Sequence, residues 1–272
     1  MQAQSTWSEP TGTLGRIVGE ARARALALAG RLAELEREAG QAPAAPSLAA
    51  ALRRPEVAVL AEVKRRSPSK GVINAAISAP AQAVAYFAGG AAGISVLTEP
   101  AHFGGTADDL PAVRAAVPLP VLKKDFHVEE IQLVEARALG ASAVLLIARA
   151  LAPGRLDTLA AAAHALGLEV LVEVRDDREL DDALRSGAAM IGVNNRDLET
   201  LAIDPATSER LIPRIPSGFV AIAESGMSSP GDVARAARAG ADAVLVGSAI
   251  SAAADPANAL RPLTQVPRRS RG

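Results

Sequence analysis

An α/β fold, a single (β/α)8 TIM barrel with an N-terminal helical extension, is predicted by two features of the sequence. From residue 57 onward, short runs rich in leucine and β-branched residues alternate with Ala-rich helical stretches. Helix and run are often joined by Gly-Ala, as in GASAVLLIA, GAAMIGVN and GADAVLVG. Eight such runs follow one another: VAVLAEV (57–63), ISVLT (94–98), PVLKK (120–124), AVLLIA (143–148), EVLVEV (169–174), AMIGVN (189–194), FVAIAE (219–224) and DAVLVG (242–247). Apolar runs without alternation read as parallel strands buried on both faces. The glycine before each reads as a helix C-cap, and eight β-then-α units as a closed barrel. A doubly wound sheet usually has fewer strands, and the GxGxxG turn expected after its first strand is missing.

Ahead of the barrel, Leu14, Ile17, Val18, Ala21, Ala25, Leu28, Leu32 and Leu35 recur at helical spacing. They predict a helical segment over 12–39 with one apolar face that packs on the barrel. GQAPAAPS at 40–47 is a linker, and a short helix around 47–54 ends at Pro55. The expected division is residues 1–56 for extension and linker, 57–262 for the catalytic barrel, and 263–272 for a disordered tail.

Composition narrows the function. The 272 residues carry a formal net charge of −1, which gives no bulk attraction to nucleic acid or membrane. One Trp, one Tyr and four Phe offer few platforms for base stacking, so no nucleic-acid partner is expected. With no cysteine, disulfides, thiolate metal sites and cysteine nucleophiles are excluded, and a reducing cytoplasm fits. His102, His127 and His164 lie far apart without ligand spacing, so no metal site is expected. No apolar run reaches the roughly 18 residues needed to cross a bilayer, and no signal peptide is legible. The chain is expected to be a cytoplasmic monomer or weak homodimer without a cofactor.

Polar residues interrupt the strands where a barrel of this type keeps its active site, at the C-terminal strand ends. The first run ends in Glu62 and Lys64, the third in Lys123 and Lys124, the fifth in Glu173, the sixth in Asn194 and the seventh in Glu224. Residues i and i+2 of a strand share a face, so Glu62 and Lys64 stack above Leu60 towards the barrel mouth. Singly, each could be a solvated loop charge; together on one rim they predict acid–base chemistry. A lysine desolvated beside other cations is expected to have a lowered pKa, and glutamates can act as bases. The loops after the last two strands, ESGMSSPGD and VGSAIS, supply Gly226, Gly247 and Ser248 as backbone donors to a phosphate. Ser229 and Pro230 read as an N-cap and first helical residue. Arg196 in NNRDL either adds a charge-assisted contact or pairs with Asp197. These residues describe a barrel enzyme for a small phosphorylated substrate and leave isomerase, aldolase and cyclase open.

The string AEVKRRSPSKGVI resembles the signature of the indole-3-glycerol phosphate synthase family. The resemblance runs on through ISVLTEPAHFGGT, PVLKKDF, IGVNNRDLET, AIAESGM and ADAVLVGS, over roughly residues 48–250. It implies conversion of 1-(o-carboxyphenylamino)-1-deoxyribulose 5-phosphate to indole-3-glycerol phosphate, with release of CO2 and water. By the same resemblance Lys124 is the acid that polarises the ketone. Lys64 and Glu173 match the ring-carboxylate and acid–base positions, and Glu62 a further catalytic glutamate. Asn194, Glu224 and Ser225 match substrate-orienting positions, Asn194 within the catalytic set. Phe126 of the KDF element matches a substrate-binding position, and Ser67, Arg196, Gly226, Gly247 and Ser248 match the phosphate cradle. HFGGT departs from the pattern, with histidine and threonine where an aromatic residue and serine are more usual. The extension is unusually rich in Ala and Arg where the family covers its site.

Two rivals stand beside this reading. A phosphoribosylanthranilate isomerase-like barrel would favour a cysteine–aspartate pair, and the chain has no cysteine. A non-catalytic phosphosugar sensor would need only the phosphate loops, not Glu62, Lys64, Lys124 and Glu173 together.

Overall fold

The computed structural model describes residues 7–271. Eight parallel strands close on themselves: β1 (Ala58–Val63), β2 (Gly93–Leu97), β3 (Val121–Lys124), β4 (Ala143–Ile147), β5 (Glu169–Val174), β6 (Met190–Asn194), β7 (Val220–Glu224) and β8 (Ala243–Val246). Each pairs with the next, and β8 returns to β1 with Ala58 opposite Ala243 and Ala61 opposite Val246. Helices connect the strands on the outside, and the predicted runs coincide with the strands to within one residue at either end. Gly140 and Gly240, which end two of these helices, have φ of +82° and +95°, values that favour glycine.

The pleat decides which polar residues reach the interior. Lys123 and Lys124 are neighbours, so they face opposite sides of β3. Lys123 points outward and meets Glu135 on the helix Glu130–Ala138 at 2.6 Å. Only Lys124 enters the barrel, so the pair that the sequence grouped at one strand end is split.

The floor is plugged by the helix Leu48–Ala51, whose Leu48 is fully buried together with Leu52. The Glu169 carboxylate at the start of β5 accepts the Leu48 and Ala49 N–H groups at 2.7 and 2.9 Å, satisfying donors that a helix start leaves open. Gly93 leaves the room: a Cβ there would lie 2.7 Å from a Leu48 methyl.

In place of the expected disordered tail, residues up to Arg271 are tied to the floor. Val57 N–H donates to Val266 at 2.8 Å and Arg268 N–H to Pro55 at 3.0 Å. The buried Asp242 carboxylate accepts from Arg268 at 2.5 Å and lies 2.7 Å from Arg271. Arg271 also donates to the carbonyls of Ile215, Gly240 and Phe219. PRRSRG looks solvated as a string, yet the Arg271 guanidinium fork holds several acceptors. Gly272 and residues 1–6 of the expected segments lie outside the described residues.

The extension forms the helix Gly12–Leu28, a 3-10 turn over Ala29–Arg31 and the helix Leu32–Gln41. Leu14, Ile17, Val18, Ala21, Ala25 and Leu35 are buried as their spacing predicts. The turn breaks the stripe, leaving Leu32 40% exposed. Thr13, Leu14 and Ile17 reach over the C-terminal ends of the strands, so the extension roofs the mouth. Among the described residues, no helix is long and apolar enough to cross a membrane.

Candidate active site

A cavity of about 240 Å³ occupies the mouth under this roof, and every candidate residue lines it: Glu62, Lys64, Ser67, Lys124, Phe126, Glu173, Asn194, Arg196, Glu224, Ser225, Gly226, Gly247 and Ser248. At its base Lys124 lies 3.3 Å from Glu173 and 3.6 Å from Glu224. Asn194 donates to the other Glu173 oxygen at 2.8 Å, which fixes that carboxylate from two sides. Lys64 forms a separate ion pair with Glu62 at 2.6 Å and lies 5.9 Å from the centre of the Phe103 ring. Tyr86 and Ser251 both donate to the Glu62 carbonyl, anchoring the end of β1.

Three buried carboxylates thus surround two lysines, and the proton inventory follows. Burial alone would lower the Lys124 pKa, but Glu173, Glu224 and Glu62 outweigh it and hold it above the ordinary lysine range. This reverses the expected lowering, because carboxylates rather than cations are its near neighbours. Burial raises the Glu224 carboxyl to about 8; Lys124 opposes this, while Glu173 and Glu62 add to it. At neutral pH the site therefore holds a charged Lys124 and one spare proton on Glu224.

The phosphate side is built from loops. Ser225, at φ +63°, is one of two non-glycine residues in the left-handed region among those described, and Gly226 follows at +79°. Strain of this kind persists where the surroundings impose it; here Asn195 donates to the Ser225 carbonyl at 3.0 Å. Ser229 caps the helix Pro230–Ala239 as its sequence suggests. Gly247 has no room for a Cβ, which would sit 2.5 Å from Glu62 Oε1. Arg196 donates to the Leu201 carbonyl at 2.9 Å, while Asp197 lies 3.4 Å from Arg175, so the Arg196–Asp197 pair is not formed. Ser67 accepts the Lys70 N–H across the SPSKG turn at 3.2 Å.

The family model described as indole-3-glycerol phosphate synthase matches residues 14–263. The chain is 49% identical to "Indole-3-glycerol phosphate synthase 2" of Streptomyces coelicolor over 93% of its own length and 99% of that relative. It is 51% identical to the same organism's "Indole-3-glycerol phosphate synthase 1", over 85% of this chain and 86% of that one. The chain belongs to the indole-3-glycerol phosphate synthase family. Among solved structures, thiamine phosphate pyrophosphorylase from Pyrococcus furiosus covers 78% of this chain and 95% of its own at a TM-score of 0.58 and 16% identity. A mandelate oxidase variant covers 78% and 71% at a TM-score of 0.55 and 21% identity. Both likenesses concern the fold alone.

For a member of the indole-3-glycerol phosphate synthase family, the residues that sequence reasoning missed are the apolar walls. Leu14, Ile17, Phe103, Leu145, Ile147 and Leu198 line the cavity among the charges. Leu145 and Ile147 belong to an unbroken apolar run, and nothing in such a run marks which residues face a cavity. Phe103 stands 6.2 Å from Phe126 between ring centroids.

The departure in HFGGT also has a place. His102 Nε2 lies 2.7 Å from Glu20 of the roof helix, and Arg24 of that helix reaches Glu99 at 3.3 Å and Asp125 at 2.6 Å. Glu20, Glu99 and His102 form a group of metal-ligand types. However, Glu99 already accepts three backbone N–H groups, and the Arg24 guanidinium holds the cationic position.

Proposed function

We propose that the thirteen lining residues carry out the family's ring closure, decarboxylation and dehydration in the following roles. Lys124, charged and aimed into the cavity, donates its proton to the substrate ketone as the ring carbon bearing the carboxylate attacks. Lys64 holds that carboxylate against the Phe103 side until it leaves as CO2, its bonding pair returning to the ring. Glu173, held by Asn194, and Glu62 exchange the protons of dehydration. Glu224, protonated at neutral pH, donates to the substrate hydroxyl and orients it with Ser225. Arg196, Ser67, Gly226, Gly247 and Ser248 cradle the phosphate, and Phe126 with the apolar wall takes the aromatic ring. Every step moves a proton or makes or breaks a carbon bond, so the proposal calls on no cofactor. Cytoplasmic location and a monomeric or weakly dimeric state are part of it.

One observation carries this reading: Lys124 lies between Glu173 and Glu224 in a cavity with an apolar wall. A Schiff-base aldolase needs its lysine neutral at the moment of attack. The surroundings of Lys124 favour the ammonium instead. A phosphosugar sensor would have no use for three buried carboxylates, each of which is costly to keep in a site that only binds. Purified protein supplied with the carboxyphenylamino-deoxyribulose phosphate should develop indole fluorescence. Absence of signal at micromolar enzyme would sink the assignment. Lys124→Ala should lose at least about 10²-fold in turnover while retaining product binding. Near-normal turnover would remove Lys124 from the acid role.

A further inference from the structure

The proposed reaction consumes a proton. The substrate carboxylate leaves as neutral CO2, the ketone oxygen takes up two protons to leave as water, and one proton is lost as the indole forms. Each turnover therefore draws one net proton from solvent. With phosphate and aromatic ring seated, the mouth under the roof helix is occupied.

Beside the main cavity lies a second of about 150 Å³, which shares Glu173 and Asn194 with it as well as Leu14, Ile147, Arg196 and Leu198. Its far wall is Arg149, Asp176 and Glu179. Those three also line a third, outer cavity of about 360 Å³ that extends past Asp157, Asp182 and Arg185. The three spaces thus share walls in sequence, from the substrate through Glu173 to Glu179 and outward. A water occupies about 30 Å³ of liquid, so the middle chamber has room for a short hydrogen-bonded chain.

We propose that this lateral passage is the proton inlet of the enzyme, and that Glu179 is the relay that reloads Glu173 while substrate fills the mouth. The proposal rests on the reaction assigned above. The bland role of Glu179 is a helix cap, since Arg175 N–H donates to its carboxylate at 2.7 Å and its own N–H donates to Asp176 at 2.8 Å. That role uses one carboxylate oxygen and leaves the other for the chamber. Burial raises the Glu179 carboxyl to about 7, with Asp176 and Glu173 adding to it and the Arg175 N–H and Arg149 opposing. The charged groups around it are Asp176 at its own helix start, Arg175 and Glu173 from the end of β5, Arg149 from the loop after β4, Arg196, Asp197 and Glu199 from the loop after β6, and, on the outer side, Asp157, Arg178, Asp182 and Arg185. A carboxyl balanced near neutrality can take a proton from solvent and pass it on, which a fully ionised one does poorly.

The test is single-turnover stopped flow of the full chain, wild type against Glu179→Gln, from pH 6 to 9. Glutamine keeps an acceptor for the Arg175 N–H but carries no exchangeable acid. The variant should slow the single turnover by on the order of 10-fold with unchanged substrate affinity, and added imidazole should restore the rate in proportion to its concentration. An unchanged rate at every pH overturns the relay. So does a slowed rate that imidazole leaves untouched, since a lost cap would behave that way. If wild type itself makes no indole product, the reaction assignment fails instead, and the two failures are distinct.

Discussion

Glu224 sets the balance of charge at the base of the cavity. Its carboxyl keeps a proton up to about 8 in the folded chain, against 4.5 for an ordinary glutamate, because burial disfavours the anion. Between those two values the folded state binds a proton that the unfolded state has released. The stability this contributes is complete below the unfolded pKa and is lost as pH rises through 8. Glutamine mimics the protonated form and never ionises. Glu224→Gln should therefore melt close to wild type near pH 5 and progressively above it towards pH 9. Thermal melts across that range decide the matter, and a gap that narrows as pH rises would contradict the assignment. Stability and function favour the same form here, since the protonated carboxyl proposed to orient the substrate is the one burial favours.

At the scale of the strand, small residues make room for the large polar ones. Gly192 of β6 stands one pleat below Asn194, and a Cβ there would lie 2.0 Å from Glu224 Oε1 and 3.3 Å from a Leu171 methyl. The atom in the way is the end of a flexible side chain, so the barrel can yield by moving the carboxylate. Gly192→Ala should fold with a modest loss of stability yet lose roughly 10–10²-fold in kcat, somewhat less than outright loss of a positioned acid–base group. Circular-dichroism melts and steady-state kinetics separate the two effects; full activity would mean that the Glu224 position is unimportant. Elements also explain what the sequence made legible. Glu62, Lys64, Lys124 and Glu173 stood out because a charge at the end of an apolar strand has few explanations. Lys123 stood out equally and misled, since alternation along β3 turns it outward to Glu135. Leu145 and Ile147 stayed hidden because core and cavity wall have the same composition. Glu179 stayed hidden because a glutamate at the third position of a helix reads as a capping residue and nothing more.

Across the whole molecule, the two ends of the chain hold opposite faces of the barrel by different means. The roof helix is held over the mouth by Arg24, whose side chain is 28% exposed, and its carboxylate partners keep other donors: Thr98 and Phe126 N–H on Asp125, three backbone N–H groups on Glu99. Cutting this tie takes the cation from two buried carboxylates but leaves each its hydrogen-bond donors, so stability should fall less than at the tail. What changes is how firmly Leu14 and Ile17 cover the cavity. The tail is held by Arg271, whose side chain is 4% exposed against an equally buried Asp242. Removing one partner of a buried pair costs about 3–5 kcal/mol, and the low end applies where Arg268 remains on Asp242. Arg24→Ala should therefore raise KM by roughly 10-fold, about 1.4 kcal/mol of binding, with a smaller fall in Tm than the tail variant. Arg271→Ala should lower Tm by roughly 6–12 °C, taking about 2–4 °C per kcal/mol for a chain of this size, with KM unchanged. Measured side by side, the two variants must move different quantities. If Arg24→Ala lowers Tm as much as Arg271→Ala and leaves KM alone, the extension is a structural brace and the mouth closes by another device.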